Sequence, residues 1–114
     1  MSPITTHALD TALGQPATGL AVRLELIEDG HARPIAAGVT DDDGRVTDLL
    51  PAENGSIQPG TYRMHFETQP YFASTGRETF YPAVMIEFSV TDTRQHYHVP
   101  LLISPFGYST YRGS

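Results

Sequence analysis

Residues 95–114 read QHYHVPLLISPFGYSTYRGS, and this closing stretch decides the fold. Tyr97, Val99, Leu101 and Ile103 alternate with His96, His98, Pro100 and Leu102. A period of two sends the two sets to opposite faces of a strand. Ser104-Pro105-Phe106-Gly107 follows, with Ser, Pro and Gly where a type I turn takes them. Residues 108–112 then return as a second strand. With Pro105-Phe106 at the turn centre, Ser104 pairs with Gly107, Leu102 with Ser109, Pro100 with Tyr111 and His98 with Gly113. Directly paired residues share a face. One face of this hairpin therefore carries His98, Pro100, Leu102, Ser109, Tyr111 and Gly113, with the carboxylate of Ser114 beside His98. A type I turn suits a two-residue hairpin poorly. A slip of one residue would flip the second strand.

The same alternation recurs upstream. Residues 3–10 read as a short extended segment, with Ile4, Thr6 and Ala8 against Thr5, His7 and Leu9. Residues 10–19 are rich in turn formers. Residues 20–27 set Leu20, Val22, Leu24 and Leu26 against Arg23 and Glu25, the pattern of a half-buried strand. Glu28-Asp29-Gly30-His31 is a turn, and residues 32–40 close a hairpin. Asp41-Asp42-Asp43-Gly44 is a tight turn by composition, delivering Arg45 and Val46 into a short strand. Residues 50–60 read as a loop. Residues 61–68 read as a strand in which His65 shares a solvated face with Arg63 and Glu67. Residues 71–78, between Pro70 and Pro82, do not alternate and suggest a short helix. Residues 82–90 form a strand with Val84, Ile86, Phe88 and Val90 inward. Seven or eight short strands at regular spacing read as a β-sandwich.

Composition bounds the chemistry. A chain of 114 residues, 39% hydrophobic and 18% charged, suits one globular domain with a single core. A net charge of −6 with no basic cluster argues against nucleic acid as a partner. All 7 basic residues are Arg, so lysine chemistry is excluded; with 0 Cys, so are thiol catalysis, thiolate zinc sites and disulfides. No stretch approaches the roughly 20 apolar residues of a membrane span. The first residues lack the basic and apolar regions of a signal peptide, so a cytoplasmic protein is expected. Asn54-Gly55-Ser56 matches a glycosylation acceptor but reads as a turn in that setting.

Five histidines remain for catalysis or binding: His7, His31, His65, His96 and His98. His31 lies in a polar turn and receives no role. His96 and His98, two apart on one face, have a spacing that suits metal ligation with a third His. Such pairs also occur in strands that bind nothing, and no carboxylate stands at a recognisable spacing, so no metal is assigned. G-x-S-x-G is absent, as is a Gly-rich phosphate loop. From the residues alone, this is an acidic all-β domain with an imidazole-rich terminal strand.

Three segments add a family. Thr5-Thr6-His7-Ala8-Leu9-Asp10, followed by Gly14-Gln15-Pro16-Ala17, resembles the N-terminal signature of transthyretin-related proteins. Thr40-Asp41-Asp42-Asp43-Gly44-Arg45 resembles that family's central turn. Tyr111-Arg112-Gly113-Ser114 resembles the terminal tetrapeptide of its enzyme branch, the 5-hydroxyisourate hydrolases, and 96–102 matches as well. Ala8 stands where Val is usual.

The resemblance implies a transthyretin-like (prealbumin-like), eight-stranded β-sandwich with one short helix, residues 1–114 forming one domain. It implies a homotetramer, a dimer of dimers, with active sites where dimers meet. By motif position the catalytic residues are His7, Arg45 and His98, with Ser114 placed to orient His98; His96 is assigned a structural place. His7, Arg45, Tyr111 and Gly113 are the expected substrate contacts. The implied reaction opens the six-membered ring of 5-hydroxyisourate by His-assisted attack of water on a cyclic amide, with no metal or organic cofactor. Two other readings are a carrier of a small hydrophobic ligand in the tetramer channel and a zinc enzyme using His7, His96 and His98.

Overall fold

The structure, a computed structural model, describes residues 2–50 and 57–113. Ser114 and the Asn54-Gly55-Ser56 acceptor lie outside the described residues. In chain order the elements are β1 (Ile4–Asp10), β2 (Gln15–Pro16), β3 (Ala21–Glu28), β4 (His31–Val39), β5 (Gly60–Phe66), α1 (Thr68–Ala73), β6 (Val84–Val90), β7 (Tyr97–Ser104) and β8 (Gly107–Thr110). They form two four-stranded sheets, ordered β2-β1-β7-β8 and β4-β3-β5-β6. The inward sets of both sheets make one core, with Ile4, Leu20, Leu24, Met64, Phe66, Phe72, Leu101 and Ile103 all at 0% exposure. This is the expected sandwich of eight strands and one helix.

The terminal hairpin has the register read from its sequence. Ser104 pairs with Gly107 and Leu102 with Ser109, and an isolated bridge joins His98 to Gly113. Asp29 and Gly30 turn the β3–β4 hairpin with φ of 50° and 78°. Two successive positive φ values match the right-handed twist of the flanking strands, and an Asp-Gly pair takes them at little cost.

One pairing was not legible. β1 runs parallel to β7, from Ile4 opposite Tyr97 to Asp10 opposite Ile103. Alternation along each strand says which face a side chain takes, but nothing local says which distant strand lies alongside.

Four expectations need correction. Residues 45–46 form no strand; Arg45 makes one isolated bridge, to His7. The turn-rich stretch 10–19 contains the two-residue β2. The helix spans Thr68–Ala73, earlier than 71–78, and β5 ends at Phe66. Pro70 was read as a boundary, yet in a helix's first turn its missing N–H breaks no bond. His65 is 9% exposed, where a solvated residue was expected. Its Nδ1 accepts from Arg23 at 3.1 Å and its Nε2 lies 2.8 Å from Glu67. The long side chains around it on the outer sheet face cover it.

The helix is tied to the sheet of β1 by charge. Asp10 is fully buried at the end of β1. It accepts from the backbone N–H groups of Ala12 and Leu13, from Tyr71 Oη at 2.7 Å and from Arg77 Nη2 at 2.7 Å. Burial pushes the Asp10 carboxyl up, but the bonds from Arg77, Tyr71 and Leu13 and the charge of Arg77 outweigh it, so it sits below the usual carboxylate value. Burial and Asp10 together push the Tyr71 hydroxyl up to about 12.

Removing one partner leaves buried polarity behind. Tyr71→Phe should cost about 1–3 kcal/mol, the usual penalty of an unmade buried bond. Arg77→Met should cost about 3–5 kcal/mol, because it strands a buried carboxylate. Asp10 contributes stability above the carboxylate's unfolded value, and the contribution fades as pH falls through the lower folded value. Urea unfolding should therefore show the Arg77→Met deficit at pH 7 and a smaller one near pH 3. An equal deficit at both would show that the ion pair is not its source.

Candidate active site

The site follows from the pleat. On β1 the outward set is Thr5, His7 and Leu9; on β7 it is His98, Pro100 and Leu102. Parallel pairing sets Thr5 beside His98 and His7 beside Pro100. Two bridges extend these rows, Arg45 to His7 on one side and His98 to Gly113 on the other. Paired residues share a face. Arg45, His7 and His98 thus come together from three distant segments.

The 41–44 turn holds Arg45 in place. Asp41 Oδ1 accepts the N–H groups of Asp43 and Arg45 at 2.9 and 3.0 Å. The Ala8 N–H donates to the Gly44 carbonyl at 2.7 Å, binding the turn to β1. Gly44 has a φ of +78°, and a Cβ there would run into the Ala8 carbonyl oxygen. Glycine at this position allows both the left-handed backbone and the close approach.

A cleft of about 360 Å³ opens on this face, with Thr5, Arg45, Thr47, Asp48, His96 and His98 among its walls. His98 Nδ1 lies 2.8 Å from Thr5 Oγ1, and His96 Nε2 lies 3.0 Å from the same oxygen. The two imidazoles are nearly parallel, with centroids 6.3 Å apart. Burial, then the positive fields of Arg45, His96 and His7, push the His98 imidazole below the ordinary histidine value. It is therefore neutral at pH 7 and able to take a proton.

His7 stands at the rim, and its Nε2 lies 2.8 Å from the Asp43 carbonyl oxygen. A carbonyl only accepts, so Nε2 carries the hydrogen and Nδ1 is the nitrogen left to exchange protons in the neutral ring. Gly113 donates its N–H to the His98 carbonyl at 2.9 Å, and a Cβ there would collide with the His98 ring. Tyr111 does not join Arg45. It is 61% exposed and borders a neighbouring cleft of about 220 Å³ that shares the His98 wall. His7, His96 and His98 do not converge as a ligand set; among the described residues no three His, Asp or Glu are placed to hold a metal ion.

The sequence reading passed over Thr5 and Asp48, and it left His96 without a chemical role. Thr5 shares the alternation of His7, but only the unread β1–β7 pairing sets it against His98. Asp48 has a φ of 55°, a conformation Asp tolerates better than most residues.

A proton titration by NMR should put the His98 midpoint below about 6.5, the unperturbed value. Charging this ring is disfavoured in the fold, so its contribution to stability is full above the unfolded midpoint and declines as pH drops through it. Arg45→Gln removes a repelling charge and should raise the midpoint. A midpoint unmoved by that change would show that Arg45 does not act on His98.

Known proteins resemble this chain in sequence and in fold. Residues 4–113 match the family described as Transthyretin: HIUase/Transthyretin family. A 5-hydroxyisourate hydrolase of Mus musculus is 46% identical over 115 residues, covering 99% of this chain and 96% of that one. The structure of Klebsiella pneumoniae 5-hydroxyisourate hydrolase aligns with a TM-score of 0.84 at 38% identity, covering 97% of this chain and 98% of the other. Sea bream transthyretin in complex with thyroxine aligns with a TM-score of 0.89 at 31% identity, over 97% of this chain and 94% of that one. With the match running through both sheets and the terminal hairpin, the chain belongs to the HIUase/Transthyretin family.

Proposed function

We propose that this protein is a hydrolase that opens the six-membered ring of 5-hydroxyisourate, giving 2-oxo-4-hydroxy-4-carboxy-5-ureidoimidazoline. The observation that carries this reading is the meeting of a guanidinium, Arg45, with a half-buried, neutral imidazole, His98, on one open sheet face. Relatives at 46% identity that bear the hydrolase name support it.

Hydrolysis of a cyclic amide must remove a proton from water, stabilise charge on the carbonyl oxygen and protonate the departing nitrogen. His98 is held neutral and takes the water proton. Arg45 offers a planar fork of donors that never loses its charge, suited to the developing oxyanion. His7 donates its Nε2–H to the Asp43 carbonyl; when the ring is doubly protonated, its Nδ1–H gives the proton to the leaving nitrogen, and solvent restores it. Gly113 keeps the terminal strand against the His98 ring. Tyr111 stands at the neighbouring cleft, and Ser114 is the residue proposed to orient His98. The chain works as a homotetramer, a dimer of dimers, in which a second dimer closes the open face over the substrate.

A hydrophobic-ligand carrier uses the same fold, but Arg45 and Asp48 in the cleft wall favour a hydrogen-bonding substrate. The decisive assay generates 5-hydroxyisourate with urate oxidase and follows its ultraviolet decay. Micromolar protein should accelerate the decay, and a rate equal to the spontaneous one would sink the proposal. In the same assay His98→Asn and His7→Asn should each lose about a hundredfold or more in turnover, the range of general acid–base groups. Arg45→Lys should be severely impaired, since a point ammonium does not reproduce the fork. Wild-type turnover in any of the three would remove that residue from the mechanism. Gly113→Ala should lower turnover at least about tenfold by displacing the imidazole, with a thermal midpoint close to wild type because the residue makes only an isolated bridge outside the named strands.

A further inference from the structure

We propose that Thr5 and His96 form a proton path between His98 and solvent, with the Thr5 hydroxyl fixing the tautomer of His98. This rests on the reading of His98 as the base. The geometry behind it is one oxygen shared by two imidazoles, at 2.8 Å from His98 Nδ1 and 3.0 Å from His96 Nε2.

A threonine hydroxyl has one hydrogen to give and lone pairs to receive with. It cannot donate to both rings at once. When it donates to His96 Nε2, it receives from His98 Nδ1–H, and His98 Nε2 is then bare and basic. When it donates to His98 Nδ1, the basic nitrogen of His98 is capped and the hydrogen of that ring sits on Nε2. The first arrangement is the one competent to activate water.

The same three atoms carry the proton away. His98 Nε2 takes a proton from the attacking water. Its Nδ1 proton passes to Thr5 Oγ1, whose own proton passes to His96 Nε2. His98 is left neutral, the hydroxyl is restored, and His96 holds the charge as an imidazolium. His96, just ahead of β7, is exposed while His98 is half-buried, so the charge ends on the more open of the two rings. Arg45, His7 and His96 all oppose a lasting positive charge on His98. Asp48 is among the walls of the same cleft, and Tyr111 and Arg112 border the neighbouring cleft that shares the His98 wall. A charge formed on His98 is thus driven outward along the hydroxyl.

Two measurements test the path, and one does not depend on substrate. Nitrogen-15 NMR of the full chain should show the hydrogen of neutral His98 on Nδ1 in the wild type. Thr5→Val should move it to Nε2, and Thr5→Ser should restore it. A His98 hydrogen on Nε2 in the wild type, or a tautomer that ignores Thr5→Val, overturns the proposal even if the protein hydrolyses 5-hydroxyisourate.

The second measurement is kinetic. His96→Ala and Thr5→Val should each lower kcat about ten- to a hundredfold, toward the lower end of general acid–base effects. Thr5→Ser should recover most of the loss. In His96→Ala, kcat should rise with imidazole buffer concentration at fixed pH and ionic strength, while the wild type stays flat. A merely structural role for His96 gives no buffer dependence, and that result overturns the path. If the wild type shows no hydrolase activity at all, the functional reading fails by itself, and the NMR arm still decides whether Thr5 sets the tautomer.

Discussion

The parallel pairing of β1 with β7 is the constraint on which the rest depends. It places Thr5 against His98 and His7 against Pro100. With it, a strand from each end of the chain becomes the centre of one sheet. Each β1 side chain is then inward or outward by the pleat alone, so Ile4, Thr6 and Ala8 are buried while Thr5 and His7 take the outer face, Thr5 lining the cleft. The Asp41–Gly44 turn and the terminal hairpin attach to the two sides of this pair. A slip of one residue between β1 and β7 would bury His7 and expose its apolar neighbours. The cost of that exchange holds the catalytic face in register, so core packing and site geometry are two faces of one alignment.

Much of this was legible in the residues. The terminal hairpin gave its own register, because Pro and Gly mark the turn and alternation does the rest. The bridge of His98 to Gly113 followed directly. The Asp-Gly turn after β3 was equally local. What could not be read was non-local or cooperative. Parallel strands joined through most of the chain leave no turn signal. The role of Thr5 depends on that pairing and was lost with it. His65 looked solvated because alternation reports a face, and a face covered by Arg23 and Glu67 is no longer wet. The helix boundary failed for a simpler reason, since Pro70 breaks a helix interior but opens a first turn freely. His7 and Arg45 came through the family motifs; composition alone did not single them out.

The backbone does not choose between the two activities found among the relatives. A thyroxine-binding transthyretin and a hydrolase superpose on this chain with similar closeness, so the scaffold tolerates both. In this chain the local chemistry rests on a few outward side chains and on one missing Cβ. Gly113 lets the terminal strand touch the His98 ring, and any larger residue would push the imidazole away. The walls of the cleft then decide what enters. Arg45 and Asp48 line it with charge, so a flat, polar molecule that can satisfy both is favoured over a greasy one.

The β1–β7 pairing also sets when this surface can exist. Thr5 and His98 are 93 residues apart in sequence, and their hydrogen bond closes almost the whole chain. During synthesis β1 emerges well before β7 and waits, with an edge unpaired, until that strand follows. A nascent chain that stops short of residue 98 holds Thr5 and His7 without His98, so the face they share forms only once β7 has been made. Contacts of such long range are slow to form, since the loop entropy is lost before the pairing repays it. The interval leaves an apolar edge strand exposed to neighbouring chains. A surface stitched from segments this far apart exists only in the folded whole, and a chain that lacks either strand has lost it.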